Sequence, residues 1–116
     1  MFRFDDQLKV FLHRAPVDLR LSINGLATLV EQALGRDPFA PTLYVFSNRR
    51  RNRVKILGWD RNGFWLLLKR LEQDRFVWPD EATAATLSVE QLHWLLEGID
   101  VGVMRRHPQR VYARAS

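Results

Sequence analysis

The chain has 116 residues, of which 47% are hydrophobic and 27% are charged, and it contains no cysteine. This length and composition are typical of one globular domain and exclude a disordered chain, a disulfide scaffold and thiolate metal sites. With no secretory leader and no apolar span of about 20 residues, we expect a cytoplasmic protein that does not contact a membrane.

The formal net charge is +5, and only three of the eighteen basic residues are lysines. Guanidinium groups make forked contacts with phosphate, so an arginine-rich chain favours a nucleic-acid partner. Arginine-rich codon usage explains the scattered arginines equally well.

The first predicted elements are a strand and an amphipathic helix. Lys9–His13 alternates like a strand, and Ala15 and Pro16 indicate a turn. Ser22 is a candidate N-cap for a helix with apolar residues at three- and four-residue spacing, which Gly35 can end. We expect this helix to lie on a sheet.

The middle of the chain predicts a β-meander, in which short polar turns join apolar strands. Gly63, in the second turn, is available for a positive φ angle. The predicted strands are 43–47, 53–59, 64–71 and 75–78.

A second helix follows, with Ser88 and Gln91 as a candidate capping box and a buried stripe that begins at Val89. Beyond Asp100 we predict a basic, mobile tail over residues 101–116, with Arg105, Arg106 and Arg110 as candidate auxiliary contacts to DNA.

These elements predict one α+β domain over residues 1–100, in the order β-α-β-β-β-β-α. We expect an antiparallel sheet of about five strands, with strong curvature toward a barrel as the alternative, and two helices, most simply on one face. The third meander strand has hydrophobic residues on both faces, which favours a homo-oligomer or another partner over that surface.

The first turn of the meander carries the densest positive charge and is our candidate nucleic-acid site. Its cations would contact phosphates, with Arg61 of the second turn as a further candidate. The alternative is a solvated turn that keeps the sheet edge soluble. The first-turn residues are Arg49, Arg50, Arg51, Arg53 and Lys55.

Two tryptophans beside the second turn, Trp59 and Trp65, are candidates for base stacking. Aromatic residues at strand spacing more often pack in a sheet core, and this alternative stays open.

Asp18 and Arg20 precede the first helix and predict an ion pair; the alternative is a metal-dependent nuclease site that combines Asp18 with Asp60. Such a site needs several converging carboxylates, which the sequence does not offer. We therefore predict no enzyme activity, no catalytic residue, no metal and no cofactor.

Several blocks, taken together, resemble one protein family. They are L-Y-V-F and R-V-K-I-L-G-W-D on either side of the arginine turn, then G-F-W-L, K-R-L-E and R-F-V-W-P, preceded by D-L-R-L-S-I-N-G-L and followed by L-L-E-G-I-D. The chain resembles the accessory protein encoded by the second reading frame of insertion sequence 66 elements, often labelled TnpB. The family's pattern more often has an acidic residue where this chain has Asn24, and the tail lies outside the resemblance.

The resemblance implies a non-catalytic accessory protein for DNA transposition, with DNA and the element-encoded transposase as partners. The arginine turn would contact DNA or the transposase–DNA complex. The alternative is an adaptor or oligomerisation module that serves the transposase without touching DNA.

Overall fold

The computed structural model describes residues 4–79 and 86–102, so Arg105, Arg106 and Arg110 of the predicted tail lie outside the described residues. One helix has an α-helical part, α1 (Ile23–Thr28), followed by π-helical turns at Leu29–Ala33. The other elements within the described residues are five strands and a second helix. In chain order they are β1 (Lys9–Leu12), α1 (Ile23–Thr28), β2 (Thr42–Ser47), β3 (Arg53–Asp60), β4 (Gly63–Arg70), β5 (Thr86–Leu87) and α2 (Val89–Leu96).

The strands form one sheet in the order β4-β3-β2-β1-β5. β1 and β2 are parallel, with Val10 beside Leu43 and Leu12 beside Val45, and the other neighbours are antiparallel. The sheet is therefore mixed, and the prediction of a wholly antiparallel sheet was wrong at this pair. The connection through α1 is long enough to cross the sheet and return β2 in the direction of β1.

The fourth predicted meander strand, Arg75 to Trp78, does not pair as a strand. Leu71 donates its amide proton to Asn52 O at 2.8 Å and Phe76 donates to Arg51 O at 2.7 Å, so the segment crosses the end of the β2–β3 hairpin. The last strand is instead β5, which pairs with β1. The observed element order still matches the predicted order β-α-β-β-β-β-α, because β5 takes the place of the predicted fourth meander strand.

The hydrophobic core has two parts, one on each face of the sheet. Tyr44, Phe46 and Leu57 pack with Leu26 and Val30 from the first helix. The opposite face packs against α2 through a larger cluster. Its buried members are Val10, Leu12, Leu43, Val45, Val54, Ile56, Phe76, Leu87, Val89, Leu92, Leu95 and Val101.

The helices therefore lie on opposite faces, and the expectation that both share one face was wrong. All six residues of β2 are buried. A central strand with apolar side chains on both faces needs a cover on each, and one helix supplies each cover.

Three predicted helix signals are found at their places. Gly35 ends the first helix with φ of +61°, and Arg36 donates to Val30 O at 3.0 Å. Ser88 and Gln91 form the full capping box of α2. Ser22 is the N-cap residue of α1, although its side chain accepts no capping hydrogen bond.

The β3–β4 turn differs from its prediction, because Arg61 adopts the positive φ angle of +50° and Gly63 does not. Gly63 is instead the first residue of β4, paired with Asp60.

Among the described residues, no helix is both long enough and apolar enough to cross a membrane.

Candidate nucleic-acid interface

The turn between β2 and β3 is held together by Asn48. Its Oδ1 accepts hydrogen bonds from the amides of Asn52 and Arg53 at 3.2 and 3.1 Å, and its Nδ2 donates to Asn52 Oδ1 at 2.7 Å. Ser47, fully buried, donates its hydroxyl proton to Arg53 O at 2.9 Å. The asparagines thus build the turn, as turn chemistry indicates, while Arg49 and Arg50 lie exposed at its tip.

Arg51 differs from its neighbours because its side chain turns inward. Its Nη2 donates to Arg14 O at 2.7 Å, and its guanidinium carbon lies 4.8 Å from the centre of the Trp78 ring. Its φ angle is +58°, and burial lowers the pKa of its guanidinium. Arg51 therefore joins the hairpin to two neighbouring segments, whereas Arg49 and Arg50 are free to meet a ligand.

The segment after β1 is fixed beside the same turn. His13 donates to Val45 O at 2.9 Å and Val17 donates to Ser47 O at 2.8 Å, which continues the contact with β2 beyond the strand. Trp78 Nε1 also donates to His13 O, at 3.1 Å. These bonds place residues 16–20 opposite the arginine tip.

Asp18 and Arg20 form the ion pair that the sequence predicts. Arg20 Nη2 lies 2.7 Å from Asp18 Oδ2, and Arg20 Nε lies 3.0 Å from Oδ1. The hydrogen bond from the Arg20 side chain, aided by the bond from the Arg20 amide, lowers the pKa of Asp18 to about 2. The carboxylate is therefore charged and already occupied by Arg20 at neutral pH.

Between these two segments lies an open groove of about 510 Å³, which we call the arginine groove. Four arginines and a single acidic residue, Asp18, line it, together with Pro16, Val17, Leu19 and Asn48. The arginines are Arg20, Arg49, Arg50 and Arg53.

Lys55 lies next along the same face of β3, as strand alternation predicts. Its Nζ donates to Leu21 O at 2.8 Å, just before the first helix. Lys55 thus extends the positive charge from the groove toward α1.

The arginine groove has the chemistry of a phosphate site. Arginine forks can each bind two phosphate oxygens, and several forks beside one open groove can follow a phosphate backbone. Asp18, the one carboxylate in the lining, already accepts hydrogen bonds from Arg20 and so repels a phosphate less than a free carboxylate would.

The other predicted site residues lie at the opposite end of β3. Trp59 packs edge-to-face on Phe39 and Phe64, with ring centres 4.9 and 5.0 Å apart. Trp65 lies on the other face of the sheet, 57% exposed, and donates to Asp60 Oδ2 at 3.1 Å. Arg61 lies in the β3–β4 turn, at the same end of β3. Trp59, Trp65 and Arg61 are therefore not brought together with the arginine tip.

Asp60 is likewise separated from Asp18 by the length of β3, since Arg53, at the near end, belongs to the groove that Asp18 lines. Within residues 4–79 and 86–102, no three Asp, Glu or His side chains form a group that could hold a metal ion.

Sequence reasoning missed Arg20 as a member of the cationic cluster. The residue was noticed for its pairing with Asp18, but its position beside the hairpin depends on the parallel pairing of β1 with β2. No local signal in the chain reports that pairing.

Comparison with known proteins identifies the family. The model of the family described as IS66 Orf2 like protein matches residues 8–106. The chain belongs to the IS66 Orf2 like protein family. The resemblance read from the sequence is confirmed. The match also includes residues 101–106, so the expectation that the tail lies wholly outside the family pattern was wrong.

Two relatives of this IS66 Orf2 like protein come from Sinorhizobium fredii strain NGR234. The uncharacterized protein y4jC is 34% identical over 102 residues, which cover 87% of each chain. The uncharacterized protein y4hO is 36% identical over 106 residues, covering 90% of this chain and 89% of the relative. No solved structure matches the chain.

Proposed function

We propose that this protein is a non-catalytic accessory protein of DNA transposition that binds the DNA phosphate backbone in the arginine groove. Membership of the IS66 Orf2 like family supports the setting in transposition, and with it an association with the transposase of the element. The transposase would supply the chemistry of strand transfer.

The observation that carries the proposal is the arrangement of Arg20, Arg49, Arg50 and Arg53 around one open groove. These residues come from two segments that are far apart in sequence. A turn that served only solubility would need neither a groove nor an arginine from a second segment.

The groove favours contacts that position DNA over contacts that read its sequence. Guanidinium groups that neutralise phosphates release counterions, and this affinity depends steeply on salt and little on base sequence. Asp18 is held by Arg20, which argues for a binding surface rather than a nuclease site.

The test is fluorescence anisotropy with an element-end duplex, a scrambled duplex and a single strand, each measured over a range of salt concentrations. We expect Arg49, Arg50 and Arg53 changed together to Ala to weaken binding of all three probes more than tenfold near 0.1 M salt. Each lost phosphate contact reduces the slope of log K against log salt by roughly 0.7 to 0.9, so the slope should fall by about 2 to 3.

The matched control changes Lys9, Arg61 and Arg75, which are exposed and outside the groove, together to Ala. It removes the same charge, so an equal loss of affinity in both variants would show that net charge, and not the groove, binds DNA. Arg61→Ala, measured alone, shows whether this candidate contact accounts for any loss of affinity in the control.

The exposed apolar side chains of β4, Trp65 and Leu68, favour a second candidate function, an adaptor that docks on the transposase without contacting DNA. In that case the purified protein would bind none of the three probes at low salt. A pull-down with the transposase would still recover it, and Trp65→Lys would reduce the recovery.

A further inference from the structure

Strand β4 has the composition of an interior strand and the position of an edge strand. It reads G-F-W-L-L-L-K-R, yet none of its eight residues is buried. Leu68 is 59% exposed and Trp65 is 57% exposed. By contrast, every residue of the central strand β2 is buried.

The outer edge of β4 also carries open backbone groups. In the described part of the chain no strand lies beyond β4. Leu71, which continues β4, donates to Asn52 O, so the odd-numbered residues direct their backbone toward β3. The backbone groups of Phe64, Leu66, Leu68 and Arg70 therefore point away from the sheet.

Natural edge strands are usually short, or interrupted by proline or a bulge. β4 has an unbroken eight-residue register with β3 and contains no proline. Its charges, on Lys69 and Arg70, are confined to one end. Such an edge is a template for another strand.

We propose that β4 pairs with β4 of a second copy, antiparallel and with Leu67 on the two-fold axis, to form a continuous ten-stranded sheet. In this register all four outward-facing residues find a partner, Leu66 with Leu68 of the second copy and Phe64 with Arg70. A shift of the register by two residues in either direction leaves one outward-facing residue of each β4 without a partner residue in the other β4.

The side chains are complementary in the same register. On the face of α1, the exposed Leu68 meets Leu66 and the Phe64 ring meets the Arg70 side chain. On the face of α2, the exposed Trp65 ring meets the Lys69 side chain. The Arg70 guanidinium keeps its bond to Glu72 and Lys69 Nζ its bond to Leu96 O, so the aliphatic part of each cationic side chain lies beside the ring. No two like charges within β4 are placed opposite each other.

The first test is the mass of the full-length protein by analytical ultracentrifugation without DNA. The wild type is expected at twice the 13.7 kDa of the chain, and Leu68→Lys at the monomer mass, because a lysine beside the two-fold axis sets like charges close together. Val77→Lys adds the same charge at another exposed apolar residue and is expected to stay dimeric. Circular dichroism checks that each variant is folded.

The second test fixes the register and leaves Leu68 in place. The chain has no cysteine, so introduced thiols can pair only with each other. Trp65 and Lys69 of the second copy form a non-hydrogen-bonded pair with Cα atoms about 4.5 Å apart, which suits a disulfide.

The double variant Trp65→Cys with Lys69→Cys should therefore form a covalent dimer on mild oxidation. Each single variant should stay uncrosslinked, because identical positions lie four residues apart along the ladder. A wild type that is monomeric at 100 µM, or single variants that crosslink as well as the double variant, would overturn the proposal. These measurements contain no DNA, so their outcome is independent of the proposed function.

Discussion

At the scale of single residues, Asp18 sets how much positive charge the arginine groove presents. Its carboxylate accepts three bonds from the Arg20 side chain, at 3.0, 3.1 and 2.7 Å, and its pKa is lowered to about 2. Because the folded pKa lies below the ordinary value of 3.8, the pair stabilises the fold above about pH 4, and this contribution is lost as the pH falls toward 2. Near neutral pH the carboxylate offsets Arg20.

We therefore expect Asp18→Asn to strengthen DNA binding. Asparagine keeps an oxygen that can accept a hydrogen bond from the Arg20 amide but removes the negative charge, so the charge of Arg20 in the groove is no longer offset by Asp18. Affinity should rise several-fold near 0.1 M salt, and the salt slope should steepen by about one, as measured by anisotropy.

Asp5→Asn is the control, because it removes one exposed carboxylate away from the groove. If both variants gain affinity equally, Asp18 acts only through net charge. A nuclease that used Asp18 as a metal ligand would instead show Mg²⁺-dependent cleavage that disappears in Asp18→Asn.

At the scale of elements, Arg51 holds the β2–β3 hairpin against its neighbours. Its side chain bonds to Arg14 O on the segment after β1 and lies over Trp78 on the segment after β4. Its backbone carbonyl accepts the amide proton of Phe76. One residue of the arginine turn thus fixes the hairpin to the segment after β1 and to the segment after β4.

We expect Arg51→Ala to lower the free energy of unfolding by about 1 to 3 kcal/mol, the size of a lost hydrogen bond and a partly buried cation–π contact together. Arg50→Ala, at an exposed position, should change it by less than about 0.5 kcal/mol. Urea unfolding followed by tryptophan fluorescence measures both.

Arg51→Gly separates the contribution of the Arg51 side chain to stability from the effect of its backbone conformation. Glycine relieves the positive φ angle, so this variant should lose less stability than Arg51→Ala. Equal stability of Arg50→Ala and Arg51→Ala would mean that Arg51 is a solvated residue like its neighbours.

The helices and strands differ in how well local sequence patterns predict them. β2, β3, β4 and the capping box of α2 depend on alternation and turn chemistry within a few residues, and local patterns report them. The parallel pairing of β1 with β2 depends on the path through α1. β5 has two residues, too few for any periodicity.

The candidate site divides in the same way. Arg49, Arg50 and Arg53 are adjacent charges and are visible in the sequence, whereas Arg20 reaches them only through the parallel pairing. The side chain of Arg51 points inward from a residue with a positive φ angle. An arginine in the sequence does not indicate that its φ angle is positive.

At the scale of the whole molecule, opposite charges gather on different surfaces. The arginine groove and Lys55 lie on the side of the sheet that carries α1. Asp6, Glu90 and Glu97 line one hollow beside α2 on the other side. We therefore expect a nucleic acid to be attracted to the α1 side and repelled from the α2 side.

The proposed dimer sets two such surfaces side by side. In antiparallel pairing, residues opposite each other share a face, so both arginine grooves lie on the same side of the ten-stranded sheet. At about 3.4 Å per residue and about 4.8 Å per strand, the two arginine tips are roughly 30 to 40 Å apart. One turn of duplex DNA measures about 34 Å, which lets one duplex reach both grooves.

This spacing, which depends on both proposals, predicts a dependence of affinity on duplex length. A hairpin duplex of about 6 base pairs, roughly 20 Å long, should engage one groove and a duplex of about 20 base pairs both, so the salt slope should nearly double between them. Leu68→Lys should bind the short duplex like the wild type but gain only the small statistical advantage of extra sites on the long one. If Leu68→Lys kept the full gain with length, the gain would not depend on the β4 dimer, and the proposed placement of two arginine grooves on one duplex would be wrong.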